Sequence, residues 1–115
     1  MIIQNNIKIE DLQKEFSDKY PDLKLEFYSV SHRSEELTSN AYKVNPDTKI
    51  SELALLDKPV TLSLKSNLKV ETLEHRFEDL GLHVQVFRKS GDVWLQTSRT
   101  DHKTLKELST MSNEY

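Results

Sequence analysis

The sequence predicts an α+β fold: two tandem βαββ units related by pseudo-symmetry, forming a mixed sheet of about six strands with two main helices on one face. Three observations lead there. Segments recur in the same order: Asn6 to Phe16 (NIKIEDLQKEF) aligns with Asn67 to Phe77 (NLKVETLEHRF), and Leu23 to Tyr28 aligns with Leu82 to Phe87. Asp47 to Leu53 echoes Asp101 to Leu108 with one inserted residue, and ordered self-similarity of this kind marks a repeat. Second, Ile9, Leu12, Phe16 and Tyr20 fall at helical spacing, as do Val70, Leu73, Phe77 and Leu80. Third, Val84 to Thr97 (VQVFRKSGDVWLQT) has the alternation and the Gly-containing turn of a β-hairpin.

At 115 residues the chain is long enough for one hydrophobic core, so residues 1–115 read as a single domain, with units at about 1–55 and 58–110. Each unit reads strand, helix, strand, strand, short helix. The opening strands are Met1 to Gln4 and Val60 to Lys65; in the second, Val60, Leu62 and Leu64 alternate with Thr61, Ser63 and Lys65, as in a sheet covered on one side. Pro21 and Gly81 end the helices. A parallel return strand after each helix would make a right-handed crossover. The other arrangement is two small sheets, one per unit, packed through their helices. The second unit turns tightly at Ser90-Gly91, whereas the first carries a long polar connection, Ser31 to Asn40, before a strand at Tyr42-Lys43-Val44. Asn45-Pro46-Asp47 is a turn. Thr104 and Glu107 have capping-box spacing for a short helical turn, and Ser109 to Tyr115 should fray.

Composition narrows the function classes. The formal net charge of −3 gives no support to a nucleic-acid partner, which usually leaves a basic excess. No cysteine is present, so disulfides, thiolate metal sites and a thiol nucleophile are ruled out. The opening MIIQNNIKIEDLQ has no basic region followed by an apolar run, and no apolar run approaches the ~20 residues of a membrane-spanning helix. The expectation is a cytoplasmic protein with no membrane partner.

No catalytic constellation stands out. His32, His75, His83 and His102 contain no pair at helical zinc-site spacing, and they read as solvated side chains. There is no G-x-S-x-G elbow, and two glycines are too few for a phosphate-cradling loop. Glu71, Glu74 and Glu78 read as a solvated acidic helix face rather than paired acid–base carboxylates. No enzyme, metal or cofactor is expected.

The hairpin is the informative surface. About a turn at Ser90-Gly91, Lys89 pairs with Asp92, Phe87 faces Trp94 and Val86 faces Leu95. Moving the turn to Gly91-Asp92 changes the partners but not the faces. One face holds Val84, Val86, Val93 and Leu95 and should be the helix-covered core. The other holds Gln85, Phe87, Trp94 and Gln96, with Tyr28 of the first unit at the position of Phe87. A cross-strand aromatic pair can serve only its hairpin, worth roughly 0.2–1 kcal/mol. An apolar island on an open sheet can also be a contact surface, and a third reading buries both faces under local segments. The leading expectation is a non-enzymatic protein-interaction module, pairing with another protein or with itself as a homodimer. The alternative is single-stranded nucleic-acid binding through the same face, with Arg88, Lys89 and Arg99 beside the aromatics. Asp92 and Asp101 interrupt that basic run.

The run Val84 to Gly91 followed by Val93-Trp94-Leu95 resembles a family of small uncharacterised bacterial proteins. They share the VQVFRKSGxVWL hairpin, the Leu73 to Phe77 helix pattern ahead of it, and the earlier Leu12 to Phe16 pattern. The resemblance covers most of the chain and implies a shared fold; it brings no activity, cofactor or site residue with it. The chain departs from the family at the helix entries, where Lys8 and Lys69 replace small or hydroxyl residues.

Overall fold

The computed structural model describes residues 1–29, 42–97 and 100–112. The order is β1 (Ile2–Ile3), α1 (Ile9–Lys19), β2 (Leu23–Tyr28), a 3-10 turn (Ile50–Glu52), β3 (Val60–Thr61), α2 (Val70–Asp79), β4 (His83–Ser90), β5 (Val93–Gln96) and α3 (Leu105–Ser112). The fold class is α+β, but the expected single mixed sheet is not formed. Among the described residues, five strands make two antiparallel sheets, β1-β3 and β2-β4-β5. The expected sixth strand at Tyr42–Val44 is reduced to one bridge, Tyr28 to Lys43, on the outer edge of β2. No parallel crossover occurs among the described residues, because each opening strand pairs with its counterpart from the other half rather than with its own return strand. For the same reason the arrangement of one sheet per unit fails as well.

The helices follow their stripes. Ile9, Leu12, Phe16 and Tyr20 are buried, as are Val70, Leu73 and Phe77. They pack on Leu23, Leu25 and Phe27 of β2 and on Leu82, Val84 and Val86, all buried, to form one core. Phe27 meets Phe77 edge-on at 5.6 Å between ring centroids. The α2 exit is a Schellman cap: Gly81 takes φ +85°, its N–H donates to Glu78 O, and the Leu82 N–H donates to Phe77 O. Of the stretch Ser109 to Tyr115 expected to fray, the part up to Ser112 is helical instead, as the end of an α3 that buries Leu105 and Leu108, and residues 113–115 lie outside the described residues.

Lys8 and Lys69 offer no acceptor to the orphan N–H groups of the first helical turn. Backbone carbonyls from downstream turns take their place. The Ile9 N–H donates to Thr48 O and the Glu10 N–H to Pro46 O, both 2.9 Å. Correspondingly, Val70 donates to Lys103 O at 3.0 Å and Glu71 to Asp101 O at 2.8 Å. In return, the N–H groups of Ile50 and Leu105 donate to the carbonyls of Ile7 and Leu68, each at 2.9 Å. Each helix entry is therefore tied to a short helical element late in its own half. The Thr104–Glu107 capping box forms as expected, with reciprocal bonds of 3.0 and 3.1 Å.

Candidate interaction surface

The hairpin turn sits at Gly91-Asp92. Ser90 pairs with Val93, Lys89 with Trp94, Arg88 with Leu95 and Phe87 with Gln96. Gly91 has φ +60° and no non-glycine residue has positive φ among those described, which is the pattern of a type II′ turn with glycine first. Phe87 and Trp94 are thus diagonal neighbours rather than the direct pair expected. Lys24, on the adjacent strand opposite Phe87, bridges them: its ammonium lies 5.5 Å from the Phe87 ring centroid and 4.9 Å from that of Trp94. Glu26 holds the next position, with Lys24 and Lys43 both 3.7 Å from its carboxylate and the Gln13 amide donating to it at 3.4 Å.

Two expectations about the hairpin faces need correction. Val93 and Leu95 are not core; Val93, Trp94 and Leu95 are 55%, 37% and 39% exposed. Their parity is as expected, since Val86 lies on the same face and is buried. The cause is reach. An eight-residue strand spans ~26 Å and a ten-residue helix only ~15 Å, so α2 is too short to cover the whole length of β4 and the hairpin end beyond it. The opposite face is not uniformly open either. Phe87 and Gln96 are partly exposed, but Tyr28 and Gln85 are buried. Burial, with help from the Glu26 charge, pushes the Tyr28 phenol up to about 12.

Gln85 and Thr97 instead belong to a polar plug on the edge of β4 where β5 has ended. The Gln85 amide donates to Val86 O at 2.8 Å and to Thr97 Oγ1 at 3.2 Å, and Thr97 Oγ1 donates to Val86 O at 2.8 Å. The Val86 N–H, which a longer β5 would have engaged, donates to Glu74 Oε2 at 3.2 Å. Glu74 is therefore not on a solvated acidic face. Burial pushes its carboxyl up to about 8, against the lowering effect of the Val86 bond and with Asp101 and Glu71 adding repulsion. Sequence reasoning missed Glu74 and Lys24; periodicity places Glu74 beside the buried stripe, but nothing local announces a strand edge needing an acceptor.

Of the residues named for nucleic-acid contact, Arg88 is partly exposed and Lys89 exposed, while Arg99 lies outside the described residues, as do His32 and the connection Ser31 to Asn40. His75 and His102 are exposed, and no group of metal-ligating side chains occurs among the described residues. No helix among them is long and apolar enough to cross a membrane. A groove of about 400 Å³ along α1 and β1, lined by Ile2, Ile7, Asp11 and Lys14, lies away from the hairpin. No protein-family model matches the chain, and no curated protein or solved structure matches it.

Proposed function

We propose that the chain is a non-enzymatic protein-interaction module whose contact surface is the β4–β5 hairpin. The observation that carries this reading is the run of three exposed apolar side chains, Val93, Trp94 and Leu95, on a strand that packs chiefly on β4. A hairpin that served only the fold would need polar side chains there. Trp is a frequent binding hot spot, and truncating one costs ~2 kcal/mol or more of association energy. The test is retention of a partner, from the native cell or of the chain on itself, by wild type and by Trp94→Ala. Retention that Trp94→Ala abolishes while leaving the urea midpoint near wild type supports the surface. Equal retention by both proteins, or none by either, sinks it. Single-stranded RNA is the control: salt-dependent retention weakened by Arg88→Ala and Lys89→Ala would replace the protein reading with a nucleic-acid one.

The same reading takes the chain as an internal duplication and as kin to the bacterial family with the VQVFRKSGxVWL hairpin. What supports the duplication is the matched pair of helix entries, each closed by bonds between corresponding backbone groups. Separately expressed units that never associate would count against it.

A further inference from the structure

We propose that β5 pairs antiparallel with β5 of a second copy of the chain, about a two-fold axis passing beside Trp94. The inference rests on the hairpin being the contact surface and names its occupant. The Lys89 N–H donates toward β2, to Asp22 O at 2.8 Å. Lys89 and Trp94 therefore form a non-hydrogen-bonded pair, and the Trp94 N–H and C=O point away from β4. Among the described residues no bond outside the sheet reaches either group.

The side chains select an edge partner over a face partner. Trp94 projects from one face of the hairpin and Val93 and Leu95 from the other, yet all three are exposed. A protein docked on either face would cover only one set. A strand added along the edge flanks both sets at once.

Charge selects a second copy. Natural edge strands are blunted by lysine, proline or a bulge, whereas Val93 to Gln96 carry no charge and no proline. Across a two-fold a strand meets itself, so any charge at its centre would repel its own image. With Trp94 opposite the partner's Trp94, their N–H and C=O groups bond reciprocally. Val93 then faces the partner's Leu95 on the other face, and Asp92 falls opposite the partner's Gln96, so no like charges meet. A four-residue junction is far smaller than the ~20–30 residues a side of a stable interface, so the dimer is weak and concentration-dependent.

The test is sedimentation velocity from about 10 μM to about 1 mM, the range of weak complexes, with emission of the single Trp followed over the same series. Wild type should shift from monomer toward dimer with a blue-shifted Trp94 emission. Trp94→Lys and Trp94→Glu should each weaken self-association at least tenfold, because like charges then face each other. An equimolar mixture of the two should associate again, as opposite charges meet across the axis. Unchanged urea midpoints for both variants establish that they fold. Wild type that stays monomeric throughout overturns the self-pairing; if it still retains another protein through Trp94, the contact surface stands, and if it retains none, both fall. Dimerisation undiminished in both charged variants, or variants that do not associate when mixed, likewise overturns the pairing.

Discussion

Glu74 shows how a single side chain can couple the fold to pH. Its carboxyl is held up to about 8, chiefly by burial, against an ordinary value of 4.5. Between those values the folded chain carries a proton there that the unfolded chain has lost. Stability from this group is therefore greatest below pH ~4.5, falls as pH rises, and levels off above pH ~8. Glu74→Gln keeps an acceptor for the Val86 N–H and removes the titration. The expected outcome is that wild type loses ~2 kcal/mol or more between pH 5 and 8 relative to the variant, read from paired urea melts. Gly81 is the other residue with a sharp expectation. A Cβ there would lie 3.3 Å from the Ala54 Cβ, on a backbone at φ +85°. Gly81→Ala should cost ~1–2 kcal/mol, the penalty of the left-handed region, and should lower the midpoint of a thermal melt. Glycine at that position was legible from sequence as a helix stop. The Glu74 contact was not, because its partner is a backbone N–H left over when a strand elsewhere ends early.

At the scale of elements, the hairpin and the short terminal helix separate packing from contact. Val86 is fully buried on β4, so Val86→Ala should destabilise the fold by ~2 kcal/mol from lost transfer energy and the cavity left behind. Trp94→Ala removes one exposed ring and its Lys24 contact, a loss of ~0.5–1 kcal/mol. Urea midpoints should rank the two accordingly, and the reverse order would make Trp94 part of the core. In α3, Thr104→Ala removes the acceptor for the Glu107 N–H and should cost ~1 kcal/mol. Its effect should appear first as faster amide exchange over Leu105–Ser112. The helix stripes, the capping box and which residues share each hairpin face were readable, because each depends on spacing within one segment. The register was not, since turns at Ser90-Gly91 and Gly91-Asp92 preserve the same parity.

Across the whole molecule, both sheets among the described residues join strands from the two halves, and the β4–β5 hairpin is the one ladder formed within a half. β1 pairs with β3 and β2 with β4, so every sheet joins residues from both halves. Fragments 1–57 and 58–115 should therefore be unfolded when separate, by circular dichroism and amide dispersion, and should regain structure when mixed. A fragment that folds alone would contradict this dependence. From sequence alone came the α+β class, the helix positions and stops, and the composition of each hairpin face. These follow from local periodicity, which backbone geometry imposes wherever the segment lies. Tertiary structure decided which strands pair, which hairpin residues go uncovered, and which carboxylate is drawn against a strand edge. Those outcomes depend on the relative lengths and placement of elements distant in the chain. Periodicity within a segment can say that a residue faces inward, but only the neighbouring element decides whether anything is there to cover it.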